Sequence, residues 1–311
     1  MVAQTTDCNE LQRARQYKKQ RIVKFIKNLF KRKIVILGAL GVLRFILVSV
    51  FAPYIAPYDP DEAHFADFLV KPNSTYLLGT DMHGRDVLSR IIYGARVSLI
   101  IGVLAVAIAC VVGTALGMCA AYFGGWVDDL INRLTEALRA IPQVVLAMAL
   151  TAVFGSGIKN LAIILGVSTI SGYVRMMRGQ VLTIKQSDYI MAGKLQGNSD
   201  FRLMMRHILP NSVSPIIVMM TQQVGATILA EAGLSFLGLG ISAPMASWGS
   251  MVSEGRNYLL QNPVFALAPG VCVALLVISL NMFGDGIRDA LDPGCEENCR
   301  KGAETGYEPF A

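Results

Sequence analysis

Six stretches of this chain are long, apolar and nearly free of charge: about residues 34–55, 97–123, 141–158, 160–178, 212–238 and 264–287. A helix must present about 20 apolar residues to cross the hydrocarbon of a bilayer. Each stretch therefore reads as a spanning helix, and the pattern predicts an all-α polytopic membrane protein with six transmembrane helices. The third and fourth stretches are short. Only the turn Gly155-Ser156-Gly157-Ile158-Lys159-Asn160 separates them. The organisation expected is a polar tail at 1–33, a first helix and outer loop at 34–96, a main membrane domain at 97–293, and a tail at 294–311.

Two of the polar intervals are too long to be simple turns. The first, 56–96, follows "APYIAPYDPDE", whose prolines at 53, 57 and 60 favour extended backbone. It continues as "LLGTDMHGRDVLSRIIYGARVSL", a turn followed by an amphipathic lead into the second helix. The second interval, 186–211, carries a folding pattern of its own. Gln186 to Gln196 can form a short helix whose small residues Ala192 and Gly193 permit close approach. Gly197 suits a turn because glycine tolerates positive φ. Ser199 can cap a second helix in which Phe201, Met204, Met205 and Ile208 follow the i, i+3, i+4, i+7 spacing of one apolar face. Arg206 and His207 would lie in its last turn, where positive charge suits the helix dipole. Pro210 then stops that helix or starts the next. Two readings fit this pattern: a docking surface for another protein, or an amphipathic segment lying on the lipid surface.

Charge orients the chain. Of its 28 Lys and Arg, 21 lie in segments 1–33, 124–140, 174–211 and 288–311, and six lie in the alternate set 56–96, 159 and 239–263. Basic residues concentrate on the cytoplasmic side, so both termini are expected there. Segment 124–140 is the weakest contributor, since Asp128, Asp129 and Glu136 outnumber Arg133 and Arg139. The remaining basic residue, Arg44, sits inside the first apolar run and is expected to face protein, a water-filled crevice or a lipid headgroup. Composition agrees with a membrane protein. The chain is 53% hydrophobic and 16% charged, against roughly a quarter charged in soluble domains. Residues 1–33 hold ten basic side chains ahead of a full-length apolar run, a pattern expected of an uncleaved tail rather than a signal peptide.

Catalytic patterns are lacking. There is no H-E-x-x-H, no G-x-S-x-G and no Walker A sequence, and the three histidines (64, 83 and 207) all fall in loops. No catalytic or metal-binding residue is assigned. Cys110, Cys119 and Cys272 read as small apolar packing residues; Cys295 and Cys299, spaced C-x3-C with no second Cys/His cluster after them, read as reduced thiols, the alternative being half of a metal or redox site. A secondary transporter would carry charged residues near the midplane of broken helices. Candidate pathway or gating residues are few: Gln222 and Gln223 beside Thr221, Ser168 with Thr169 and Ser171, Ser279 with Asn281, and the carboxylates Glu231 and Asp285. Interhelical hydrogen bonding explains the uncharged ones equally well. Gly113 and Gly117 form a G-x3-G spacing that permits close helix packing.

The segment "MAGKLQGNSDFRLMMRHILPN" (191–211) resembles the EAA loop of ABC importer permeases, a pattern E-A-A-x3-G followed by L-P. The match runs through Ala192, Gly193, Gly197, Leu209 and Pro210, with Met191 standing where the family has Glu. "AYFGGWVDDLINRLTEALRAIP" (121–142), "AEAGLSFLGLG" (230–240), "SWGSMVSEGRNYL" (247–259) and "NMFGDGIRDALDP" (281–293) are similar to further blocks of the DppC/OppC branch, as is 77–99. The resemblance implies the type I importer permease fold in the cytoplasmic (inner) membrane, in contact with membrane lipid. It implies a heterodimer with a second, DppB/OppB-like permease, two ATP-binding subunits docked on the cytoplasmic loops, and an extracytoplasmic solute-binding protein. ATP and Mg would sit on the partner subunits, with no cofactor on this chain, no enzymatic activity of its own and no nucleic-acid partner. The implied cargo is a di- or oligopeptide, with nickel or another small solute as the alternative.

Overall fold

The computed structural model describes Leu29 and residues 32–241 and 244–291. Most of the basic tail, together with Cys295 and Cys299, lies outside the described residues. All regular structure among the described residues is helical: α1 (Lys33–Val50), a single turn at Ala52–Ile55, α2 (Val87–Phe123), α3 (Gly125–Ala140), α4 (Gln143–Phe154), α5 (Ile158–Lys185), α6 (Asp188–Leu195), α7 (Asp200–Leu203), a π-helical turn (Met204–Ile208), α8 (Leu209–Phe236), α9 (Trp248–Gly255) and α10 (Pro263–Leu291). α1, α2, α5, the continuous helical rod Asp200–Phe236, and α10 are each long and apolar enough to cross a membrane.

The sixth span is broken. α3 and α4 meet at 91° across Ile141-Pro142. The 12 residues of α4 cover only about 18 Å at 1.5 Å per residue. Pro142 lacks the N–H that would continue the ladder, and it pushes Ile141 out of the α region. Ile141 accordingly adopts φ −93°, ψ 128°. The expected third stretch, 141–158, thus becomes a short helix reached through a polar one, and the count of six holds when the bent pair is taken as one span.

Two further boundaries differ from the apolar pattern. α2 begins at Val87, ten residues before the second apolar run, because Asp86 caps it: its Oδ2 accepts from the Ser89 amide at 2.8 Å and the Ser89 hydroxyl at 2.7 Å. A local cap outweighs the polar composition of the first turns. Pro53, expected in extended chain, lies instead in the first turn of the helical segment Ala52–Ile55, where a missing N–H costs nothing.

α2 and α5 lie against each other along much of their length, and the Gly113/Gly117 spacing is what lets them. A Cβ on Gly113 would lie 2.5 Å from Cβ of Tyr173, and one on Gly117 would collide with the Val174 carbonyl oxygen. Around this seam, Val106, Ala109, Ile170, Tyr173 and Val174 form one apolar cluster. Gly117→Ala should therefore lower stability by about 1–3 kcal/mol, the usual cost of overpacking. Gly179→Ala on the same α5 should be neutral or slightly stabilising, since its Cβ meets nothing within 4 Å. Melting curves of the purified protein check this; equal midpoints for the two variants would contradict the seam.

Candidate functional site: the folded loop 186–211 and two polar clusters

Loop 186–211 is a folded unit. α6 ends at Leu195, and Gly197 takes φ +77° in the turn that follows. This is the left-handed region glycine enters without penalty. The turn closes through the Gly197 amide on the Lys194 carbonyl (3.0 Å) and the Asn198 amide and side chain on the Gly193 carbonyl (3.2 and 3.1 Å). The close approach expected at Gly193 comes from within the loop: a Cβ there would lie 2.9 Å from Cδ2 of Leu203.

The second helix differs from its expected form. Ser199 occupies the N-cap position but its side chain makes no capping bond. The helix does not end after His207. It passes through the π turn and continues as α8, with Pro210 in the first turn of that helix. Arg206 and His207 therefore sit in mid-rod and compensate no C-terminal dipole. Pro210 is accommodated because the wider π turn precedes it, and an irregular turn of this kind often marks a functional position.

The π turn also splits the supposed single apolar face. Met204 and Ile208 are buried with Ile190, Met177, Val181, Met118, Ala121 and Tyr122, and Leu203 is fully buried. Phe201 and Met205 face outward with Met191 and Tyr189. Leu195, which the apolar spacing did not single out, is 89% exposed. The loop thus has a buried apolar sole and an exposed apolar crown. Ala192 is exposed and Leu209 half-buried.

Among the pathway and gating candidates, Gln222, Asn281 and Asp285 lie along the α8–α10 contact, while Glu231 stands apart between α8 and α2. Glu231 is 1% exposed. Its Oε1 accepts from the Ser235 hydroxyl at 2.8 Å and its Oε2 from the Ser98 hydroxyl at 3.2 Å, tying α8 to α2. Gln222 donates to Asp285 at 3.3 Å, joining α8 to α10. Asn281 is exposed, yet its Oδ1 lies 3.4 Å from where a Cβ on Gly225 of α8 would stand, and Gln223 is half-buried. Arg44 lines a groove of about 340 Å³ with Phe45, Trp248 and Ser279. Among the described residues no ion pair to it is present.

Sequence reading missed a buried ionic cluster where the loop 56–86 meets α2 and α9. Asp81 is fully buried and accepts from Nε of Arg85 at 2.7 Å. Nε of Arg90, itself 1% exposed, lies 3.5 Å from the same carboxylate. Arg90 also donates to the Pro60 carbonyl and approaches Asp61, while Arg85 approaches Glu254 of α9 at 3.8 Å. The Trp248 indole donates to the Ile91 carbonyl at 2.9 Å. At the opposite end of α2, Arg178 of α5 holds Asp128 of α3 through two bonds of 2.7 and 2.6 Å. None of these pairs has a local spacing that a sequence reader could flag, apart from Asp81–Arg85 at i, i+4.

The chain thus carries a folded loop with an exposed apolar crown on a bundle of helices long and apolar enough to span a membrane. Residues 113–297 match the family described as binding-protein-dependent transport system inner membrane component. This chain belongs to that family. Residues 22–72 match the N-terminal TM domain of oligopeptide transport permease C. Similar proteins include the dipeptide transport system permease protein DppC of Alkalihalophilus pseudofirmus, 41% identical over 267 residues, covering 86% of this chain and 88% of that one. The glutathione transport system permease protein GsiD of Pectobacterium atrosepticum is 38% identical over 270 residues (86% and 90%). The di/tripeptide transport system permease protein DppC of Pseudomonas aeruginosa is 42% identical over 267 residues (82% and 88%). The chain is thus a multi-pass membrane permease of the ABC transporter class.

Proposed function

We propose that this permease conducts short peptides inward, with loop 186–211 seated on an ATP-binding partner. The observation that carries the docking role is the exposed crown of Leu195, Phe201, Met191 and Met205 on a loop otherwise anchored in the core. Large apolar side chains held in place by a folded support are what a partner's groove engages. Peptide cargo is supported by the names of the relatives, which transport dipeptides, di/tripeptides and glutathione. ATP and Mg then belong to the partner subunits, and this chain's contribution is mechanical. A second permease completes the pathway, and an extracytoplasmic binding protein delivers the cargo to the face bearing residues 56–86. Both termini and loop 186–211 lie in the cytoplasm, as the basic asymmetry favours.

The test is single-cysteine labelling in intact cells, with the loop fused to no reporter. A cysteine at Ser74 is expected to react from outside. One at Asn198 is expected to react only after the membrane is permeabilised. Reaction of the Asn198 site from outside would remove loop 186–211 from reach of any ATPase. Uptake of labelled di- and tripeptides, compared between cells with and without this chain, tests the cargo.

A further inference from the structure

We propose that the hydroxyl of Tyr122 and the carboxylate of Asp200 form the joint through which movement of loop 186–211 reaches α2. The inference rests on the docking role given above and assigns the connection inside the chain. Tyr122 is the penultimate residue of α2 and is buried; Asp200 opens the second helix of the loop. The Tyr122 hydroxyl donates to Oδ1 of Asp200 at 2.5 Å across 78 residues of sequence. A phenol–carboxylate bond of this length is charge-assisted and directional.

Three further contacts converge on the end of α2, two of them on Tyr122 itself. Nζ of Lys185, the last residue of α5, donates to the Tyr122 carbonyl at 2.6 Å and to the Ala121 carbonyl at 3.3 Å. It thereby caps two otherwise unpaired carbonyls at the end of α2. Lys194, in the last turn of α6, lies over the Tyr122 ring at 5.1 Å, within cation–π reach. Tyr122 is thus held by α5 through its carbonyl, and by the two helices of the loop through its ring and hydroxyl.

What Tyr122 is attached to gives the joint its reach. α2 runs unbroken from Val87 to Phe123. Gly113 and Gly117 bring it into close contact with α5. Near its far end the same helix carries Ser98, bonded to Glu231, and Arg90 of the buried ionic cluster. The loop is continuous in sequence with α5 and α8 only. Ile190, Met204 and Ile208 of the loop also pack on Met118, Ala121 and Tyr122 of α2, and the Tyr122–Asp200 bond is the directional polar tie across that apolar seam. A role for such a connection in coupling is established by perturbing both ends.

The experiment uses the transporter purified as an assembled complex of both permeases and the ATPase subunits. The stimulus is the binding protein isolated from the same cells with the ligand it carries. Three quantities are read: retained ATPase subunit, melting temperature, and the stimulation of ATP hydrolysis by the binding protein. Tyr122→Phe removes only the hydroxyl and keeps the ring under Lys194. It is expected to retain the ATPase subunit and its melting temperature while stimulation falls roughly tenfold, the factor carried by a lost hydrogen bond to a charged group. Asp200→Ala, an exposed change that leaves the core untouched, should lose stimulation to the same degree. Asp200→Asn keeps an acceptor for the hydroxyl and should stay within about twofold of wild type. The double variant Tyr122→Phe/Asp200→Ala should be no worse than either alone, since both break one bond. Wild-type stimulation in Tyr122→Phe or in Asp200→Ala overturns the joint, and so do additive losses in the double variant. Absence of ATPase subunit from the wild-type complex overturns the docking reading itself, and the joint with it.

Discussion

Asp81→Leu is expected to leave little folded protein in the membrane. Its carboxylate is the shared counter-charge of Arg85 and Arg90, which are 5% and 1% exposed. It also accepts from the amides of His83 and Arg85 at 2.8 and 3.0 Å. Removing one partner of a buried ionic cluster leaves the other charges desolvated and unpaired, which costs about 3–5 kcal/mol. Two guanidinium groups would be stranded here, with Glu254 at 3.8 Å from Arg85 and Asp61 at 3.7 Å from Arg90 as the remaining anions. The cluster also fastens the outer loop and α9 to the head of α2, so the loss spreads beyond one contact. Asp81→Asn keeps acceptor oxygen for the two amides and should fall between wild type and the leucine variant. Melting of the detergent-purified protein, followed by size-exclusion chromatography, is the measurement. A midpoint for Asp81→Leu within a degree or two of wild type would mean that the cluster holds nothing together.

Gly197→Val is expected to spare insertion and weaken docking severalfold. Glycine at φ +77° is unstrained, whereas a β-branched side chain in that region costs about 1–3 kcal/mol. A Cβ at this position meets nothing within 4 Å in the chain. The effect is therefore backbone strain and not crowding, and it falls on the turn that sets α6 against α7. The spanning helices do not depend on that turn, so accumulation in the membrane should be near normal. The strained turn is expected to re-aim Leu195 relative to Phe201, and the partner's groove would no longer fit both. Retained ATPase subunit on affinity purification should fall severalfold. Gly197→Asn makes the internal control, because asparagine enters the left-handed region more readily than valine, and it should retain more of the partner. Equal retention in wild type, asparagine and valine variants would show that the turn does not present the docking face.

How far the sequence reached depends on whether the determining interaction was local. The turn at Gly197 was legible because a glycine between two amphipathic segments has few other reasons to be there. The α2–α5 seam was legible in part: Gly113 and Gly117 announced a close contact but could not name Tyr173 and Val174 as the other side. The loop's apolar face was only half right. An ideal 3.6-residue period places Phe201, Met204, Met205 and Ile208 together, and the π turn at Met204–Ile208 changes the period within that span. Met204 and Ile208 consequently turn into the core while Phe201 and Met205 face out. Leu195 carries no signal in the sequence, because a single leucine in a polar segment belongs to no apolar period, and its exposure is a property of the packed loop.

The sequence by itself determined that this chain is a helical membrane protein, where its helices fall to within several residues, and that the polar interval 186–211 is folded. Those properties follow from apolar run length, from capping and turn residues and from charge asymmetry, each of which acts over a few neighbouring positions. Only the tertiary structure decided which polar residues meet. Asp81 with Arg90, Ser98 with Glu231, Asp128 with Arg178 and Tyr122 with Asp200 are joined across 9 to 133 residues. Those that are buried, Asp81, Arg90, Ser98 and Glu231, must each find a partner. Which partner it finds is set by how the helices cross, and no spacing within the chain records that.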